Sequence, residues 1–286
     1  MEQISKIMII GSKGMAGHVI YYYLKEHTSY SIVDIARGTD FFVPNYQLDI
    51  TDFVKLEEVI KKELPRIVIN CIGILNQNAE RHPDKAILLN SYLPHFLAKV
   101  GSNLGFKVIH ISTDCVFDGK KGGYTEDSIK DGHGFYSQTK ALGELNYGNN
   151  LTIRTSIIGP ELKKDGIGLF HWFMQQSGNI KGYSEAYWTG VTTIELAKGI
   201  VAAIEQNVKG LHHLVNNYKI NKYDLLVLFK NAFKRDNVLV DKFNDYHVDK
   251  SLIKTDQSFV YTIPDYKFMI DEMKLWIETH PSLYNL

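Results

Sequence analysis

Ile7-Met8-Ile9-Ile10-Gly11-Ser12-Lys13-Gly14-Met15-Ala16-Gly17 is the stretch that decides the fold. An apolar run without alternation reads as a strand buried on both faces. The glycines follow at once, and from Met15 to Glu26 the apolar residues recur at helical spacing, Val19, Tyr22 and Tyr23 among them. Between a strand and a helix, a GxxGxxG loop has a physical use. Its first glycine permits the tight turn, its second lets the backbone approach a pyrophosphate, and its third allows close helix–sheet packing. The helix start adds free N–H groups and the positive end of a dipole. Glycine-rich turns are common, so it is the strand–loop–helix context that makes this loop a dinucleotide candidate.

Working outward, the two periods keep alternating. A second strand spans Ser31 to Ala36, and a helix over about 52–63 sets Phe53, Leu56, Val59 and Ile60 on one face, with Pro65 ending it. Ile67-Val68-Ile69-Asn70-Cys71-Ile72 is another buried strand. A long helical pattern over about 84–104 must kink or split at Pro94. A strand at 107–112, a helix around 136–146 and a strand at 151–156 complete the run. Apolar, non-alternating strands separated by helices imply a parallel sheet covered on both faces. Right-handed crossovers make it doubly wound. The expected class is therefore α/β, a Rossmann-type doubly wound parallel sheet over residues 1–160. Past Gly159-Pro160 the pattern loosens, with Phe170, His171, Trp172, Tyr183, Tyr187 and Trp188 interleaved among polar residues. A helix near 193–205, a strand at His212-His213-Leu214-Val215 and helices at 222–233 and 270–279 stand out. Residues 161–286 are expected to form a smaller substrate-binding lobe, part of which returns to the first domain. No linker, internal repeat or low-complexity tract interrupts the chain.

The composition narrows the task. Hydrophobic residues make up 44% of the 286 and charged residues 22%, which excludes disorder and fibrous repeats. Lys plus Arg number 32, as do Asp plus Glu, so the basic excess of a nucleic-acid binder is missing. No apolar run approaches the roughly 20 residues that span a bilayer. The start, Met1-Glu2-Gln3-Ile4-Ser5-Lys6, lacks a signal peptide's build. Cys71 and Cys115 lie in apolar contexts and read as reduced core residues. No metal-ligand spacing, GxSxG or P-loop pattern occurs. A cytoplasmic protein that handles a small molecule is the expectation, with no nucleic-acid or membrane partner.

Two further constellations carry chemistry. At the end of the second strand an acidic residue would hold a ribose 2′-hydroxyl, whereas an arginine would pair with a 2′-phosphate. Asp34 lies inside that strand, Arg37 just past it, and Lys13 adds a second cation. Arg37 favours NADPH, with NADH as the alternative, and Asp49 could meet the adenine end. Tyr136-Ser137-Gln138-Thr139-Lys140 places a phenol and an ammonium on one helix face. A lysine a few ångströms away is expected to pull the phenol's pKa below its usual ~10 and fit it for proton transfer. Tyr21/Lys25, Tyr218/Lys222 and Tyr246/Lys250 share the spacing. Only Tyr136 opens a helix after the fifth strand, where strand ends face a cofactor. Thr113, at the end of the preceding strand, could donate to a substrate carbonyl.

With these pieces in place the chain resembles an extended short-chain dehydrogenase/reductase, and within that superfamily the dTDP-4-dehydrorhamnose reductase family. The motifs are the glycine loop, Leu48-Asp49-Ile50-Thr51-Asp52, Val68-Ile69-Asn70-Cys71, Asn90, Ser112-Thr113-Asp114 with Phe117-Asp118-Gly119, Tyr136 and Lys140 with Gly143-Glu144, and Arg154-Thr155-Ser156. They cover the first ~160 residues well and the rest thinly. The resemblance implies reduction of the 4-keto group of a nucleotide-linked 6-deoxy sugar, for surface-polysaccharide precursors. Thr113 would orient the ketone, Tyr136 would protonate the alkoxide, and Lys140 would tune Tyr136 and hold the nicotinamide ribose. Cofactor contacts are implied at Gly11, Ser12, Lys13, Gly14, Met15, Ala16, Gly17, Arg37, Asp49, Ile50, Cys71, Ile72, Gly73, Tyr136, Lys140 and Thr155. Substrate contacts are implied at Thr113, Asp114, Cys115, Trp172 and Trp188, the tryptophans as stacking platforms. The expected partners are a nucleotide sugar and, as one option, a second copy of the chain. Ile157 departs from the family, which often carries tryptophan there, so a UDP-linked 2-acetamido-4-keto-6-deoxy hexose competes with the dTDP sugar.

Three rivals remain. Related dehydratases carry Glu where Cys115 stands, which disfavours elimination. An epimerase-reductase would use Cys115 with a histidine acid, His171 being the nearest. A non-catalytic nucleotide-binding regulatory subunit would keep the fold and lose the chemistry. His18 and His133 read as surface residues.

Overall fold

In the computed structural model, which describes residues 5–284, the first strand, β1 (Lys6–Ile10), shows why a parallel sheet forms. Its alternate side chains go to opposite faces, Ile7 and Ile9 into one apolar cluster and Met8 and Ile10 into another. Both faces are therefore buried. Residues 1–4, read above for a leader, lie outside the described residues. The other strands are β2 (Ser31–Ala36), β3 (Tyr46–Gln47), β4 (Ile67–Asn70), β5 (Lys107–Thr113), β6 (Leu151–Thr155), β7 (Ile157–Ile158), β8 (Gly178–Tyr183), β9 (Ala186–Trp188), β10 (Val191–Thr192), β11 (Gly210–His213), β12 (Ile220–Asn221), β13 (Val238–Phe243) and β14 (Val248–Asp249). Seven of them form one sheet in the order β11-β6-β5-β4-β1-β2-β3, every pair parallel. The chain winds outward in both directions from β1 and β4, which leaves a crevice at their carboxyl ends.

Helices cover the two faces. Met15–His27 and Thr193–Glu205 pack on the first cluster, through Val19, Ile20 and Leu24 and through Ile194 and Ile200. Phe53–Glu63 and Leu93–Leu104 cover the second through Leu56, Ile60, Leu97 and Val100. Each fully buried Leu or Ile contributes roughly 1.5–3 kcal/mol. Asp52 and Thr192 cap their helices by accepting from Lys55 N and Glu195 N.

Sequence and structure agree at Pro94. The helical run is divided there: a π-helical segment, Ile87–Tyr92, precedes Pro94 and leaves it in the first turn of Leu93–Leu104. In that turn a missing N–H costs nothing. The helix read at 136–146 is shorter, Gly134–Leu142, because Gly143 stops against the Asn90 carbonyl, where a Cβ would sit only 1.9 Å away. Beyond β6 the chain adds a parallel pair, β8 with β13, and a small sheet in the order β12-β9-β14. It then sends β11 back to the edge of the main sheet beside β6. No helix among the described residues is long and apolar enough to cross a membrane.

Candidate active site

The glycine loop follows β1 directly, at the carboxyl ends of the strands where the crevice lies. Gly11 leaves β1 at φ 87° and its N–H donates to Ile35 O at 2.9 Å. Two of the glycines are demanded by the protein itself. A Cβ on Gly17 would lie 2.1 Å from Gly11 O, and one on Gly11 would lie 2.9 Å from Ile72 Cδ1. Gly14 is different: its nearest neighbour, Gly11 O, would be 3.4 Å from a Cβ, ordinary contact. Gly14 also begins the helix Met15–His27 with no side-chain cap, which leaves its first-turn N–H groups without a side-chain partner at the cap. A cradle that a Cβ would fill, ringed by free N–H groups, fits a pyrophosphate.

The end of β2 is arranged as follows. Asp34 is fully buried, accepting from Ser12 Oγ at 2.5 Å and from Asn45 N at 2.9 Å. It is spent on the loop. Arg37 is exposed one residue past β2. Lys13 donates to Gly38 O and Asp40 O at 2.6 and 2.5 Å and stands over the Phe42 ring, which pins the loop following Arg37. Asp49 is held by the Thr51 N–H and hydroxyl, and these bonds lower its pKa. Ile50 is buried beneath it. Cys71, Ile72 and Gly73 continue β4 across from Gly11, and burial pushes the Cys71 thiol up to about 12.

Thr113 and Tyr136 come together where β5 ends. Thr113 Oγ1 accepts from Cys115 N and donates to Asp114 Oδ1, both at 3.1 Å. The Tyr136 phenol lies among Thr113, Asp114 and Cys115. Burial raises its pKa above the usual phenol value, the charges of Cys115 and Asp114 add to this, and the Thr113 hydroxyl opposes it. The expected lowering by Lys140 is absent. A buried ammonium needs acceptors, and Lys140 finds one in Ile111 O at 2.7 Å, with His110 Nε2 at 3.2 Å. Lys140 is 4% exposed and its own pKa falls to about 8, by burial against the charges of Glu144 and Cys71. The phenol is thus a protonated acid at neutral pH.

Thr155 is buried and donates to Leu214 O at 2.7 Å, tying β6 to the chain after β11. Trp172 is 38% exposed on the helix Leu169–Met174. Trp188 is 3% exposed, packed on Tyr266 and covered by the Lys222 ammonium at 5.0 Å. It offers the site that cation rather than an open ring face. His171 is buried, its Nε2 within 3.0 Å of Lys164 O and 2.8 Å of Gln175 Nε2. His133 is exposed at the start of the helix Gly134–Leu142. His18 is not a surface residue. It is fully buried, bonded at Nδ1 to Gly14 O and at Nε2 to Tyr284, because the chain's last segment folds over it.

Sequence reading passed over His110, Lys222 and Lys250. A histidine inside an apolar strand run was a visible signal for the first. Lys222 and Lys250 had appeared only as members of spurious Tyr–Lys pairs. The fold brings their charges to Asp114, whose pKa burial still raises against their pull. Among the described residues no group of three or more His, Cys, Asp and Glu is placed to hold a metal.

Comparison with known proteins places the fold in a family. Residues 5–251 match the family described as RmlD substrate binding domain. The β subunit of methionine adenosyltransferase 2 from Xenopus laevis is 26% identical over 243 residues, 80% of this chain and 72% of that protein. A dTDP-4-keto-6-deoxy-D-glucose reductase from Streptomyces niveus is 25% identical over 228 residues, 76% of this chain and 75% of the other. Among solved structures, a dTDP-4-dehydrorhamnose reductase from Bacillus anthracis, in complex with NADP, superimposes with a TM-score of 0.81 at 18% identity, covering 96% of this chain and all of the other. The chain belongs to the RmlD substrate-binding-domain family, on the Rossmann-type fold of the extended short-chain dehydrogenases/reductases.

Proposed function

We propose that the protein reduces the 4-keto group of a nucleotide-activated 4-keto-6-deoxy sugar with NADPH. The observation that carries this reading is the grouping of the Tyr136 phenol with Thr113 at the end of β5, in the sheet whose β1 runs into the glycine loop. A reduced nicotinamide supplies the hydride when bound. On substrate binding the Thr113 hydroxyl turns its hydrogen from Asp114 Oδ1 to the carbonyl oxygen and holds it, and the Tyr136 phenol delivers its proton to that same oxygen. Lys140, fixed against Ile111 O, lines the floor. Residues 11–17 hold the pyrophosphate, and Arg37, with Asp34 already spent, favours a 2′-phosphate. The RmlD family match and the Streptomyces relative support the sugar-nucleotide class. A dTDP sugar and a UDP-linked 2-acetamido sugar are both candidates, and surface-polysaccharide synthesis is the process that uses them. Cys115 weighs against an added epimerisation, since burial pushes its thiol up to about 11 and away from a thiolate base.

The test incubates the protein with NADPH and dTDP-, UDP- and GDP-linked 4-keto-6-deoxy sugars and follows loss of reduced-nicotinamide absorbance. Oxidation with one of them is expected. Arg37→Ala should weaken NADPH binding by about 10- to 100-fold and spare NADH, from the loss of one charge-assisted contact. A second reading, a nucleotide-binding regulatory subunit, is favoured by the methionine adenosyltransferase relatives. NADPH binding with no turnover of any sugar would select it.

A further inference from the structure

Beneath Lys140 runs a chain of side chains that the proposed chemistry does not use. Asn70 ends β4, and in register beside it on β5 stands His110, both fully buried. Asn70 Oδ1 accepts from its own neighbour's backbone, Ile72 N–H, at 3.1 Å. That bond fixes the amide, so Asn70 Nδ2–H faces His110 Nδ1 at 3.2 Å and donates to it. An imidazole that accepts at Nδ1 must carry its hydrogen on Nε2, because burial keeps the ring neutral. Nε2 lies 3.2 Å from Lys140 Nζ.

The consequence is electrostatic. An ammonium at Nζ would point a donor at a donor, whereas a neutral amine would accept the Nε2–H bond. We propose that Asn70 and His110 are positioning residues for Lys140, a buried relay in which Asn70 sets the imidazole tautomer and the imidazole Nε2–H favours the neutral amine. The other titratable groups near Lys140 are Glu144, two residues past the end of its helix, and Cys71, past β4; near His110 there is also His95. Glu144 favours the ammonium, so the relay and the carboxylate act on Lys140 in opposite directions.

The proposal rests on the reductase reading only for its effect on turnover, and its tests need no substrate. In the wild-type protein labelled with 15N-histidine, the His110 ring is expected to show its hydrogen on Nε2; a hydrogen on Nδ1 overturns the relay. Asn70→Ala releases Nδ1, lets the ring turn its acceptor toward Lys140, and should raise the amine's titration by about one unit. Carbon NMR of lysine labelled at Cε reads that shift, with K140M assigning the signal. In the His110→Phe background Asn70→Ala should move nothing, and a shift of the same size there would show that the imidazole transmits no effect. An unmoved titration in a folded Asn70→Ala protein overturns the proposal. Should that variant fail to fold, the wild-type tautomer decides alone. The NMR shift without a matching move in the pH profile of turnover would count against Lys140's place in the reductase machinery and leave the relay standing.

Discussion

Gly14 and Gly17 sit three residues apart in one loop and answer to different forces. Gly17 is required by packing, since a Cβ would drive into the Gly11 carbonyl at 2.1 Å. Gly17→Ala should therefore cost about 1–3 kcal/mol of stability, seen as a drop in thermal midpoint. Gly14→Ala meets nothing closer than 3.4 Å in the protein. It should leave the midpoint nearly unchanged while weakening NADPH binding, which calorimetry would show. Equal losses of stability in the two variants would contradict the assignment of Gly14 to a ligand. Lys140 teaches the complementary lesson. Its spacing from Tyr136 was legible, but its partners were not, because a buried lysine goes to the polar groups that the neighbouring strand provides. Helical periodicity is silent about Ile111 O and His110 Nε2.

At the scale of elements, β5, β6 and the segment just past the helix Gly134–Leu142 are joined around one buried ion pair. Arg154 on β6 meets Glu144 through two hydrogen bonds of 2.8 Å, with both side chains 1% exposed. Ser112 on β5 donates to the same carboxylate at 2.7 Å, and Lys130 reaches it at 3.2 Å. Burial pushes the Glu144 carboxyl up, but Arg154, Ser112 and Lys130 together hold it below the usual value. Removing one partner of such a pair strands a charge. Arg154→Met should cost about 3–5 kcal/mol in denaturant unfolding, and a loss under about 1 kcal/mol would show that the pair holds nothing in place. The strands and helices of the first half were readable because apolar runs and helical spacing alternate without ambiguity. The relief of Pro94 was not readable, since a π-helical segment leaves no mark in composition. Nor were the lengths of the accessory strands, which are set by pairing partners distant in sequence, β8 with β13 and β9 with β14.

Across the whole molecule, the chain's last described residues return to its first motif. Trp276 donates to the Tyr284 hydroxyl at 2.8 Å, Tyr284 meets His18 Nε2 at 2.8 Å, and His18 Nδ1 meets Gly14 O at 2.8 Å. A histidine eighteen residues from the start gave no hint of that cover, which is why it read as exposed. Burial lowers the His18 pKa to about 4, and that of His213 likewise to about 4. An unfolded imidazole takes up its proton near pH 6.5, a folded one here only near 4. Stability is therefore complete above about pH 6.5 and falls as the pH drops toward 4, by roughly 3 kcal/mol for His18 alone. Urea unfolding across that range should show the decline, and His18→Gln should flatten part of it. A stability that rose on acidification through the same window would contradict the buried, neutral imidazoles.

What unites these scales is the proposed pairing of the Tyr136 phenol with the Thr113 hydroxyl at the end of β5. The measurement closest to it is single-turnover reduction of a 4-keto nucleotide sugar by wild-type protein and by Tyr136→Phe, with NADPH affinity determined in parallel. Removing the acid should slow the chemical step by about 10²- to 10⁴-fold and leave NADPH affinity within a factor of about two. A Tyr136→Phe protein that turned over at the wild-type rate would show that the proton comes from elsewhere.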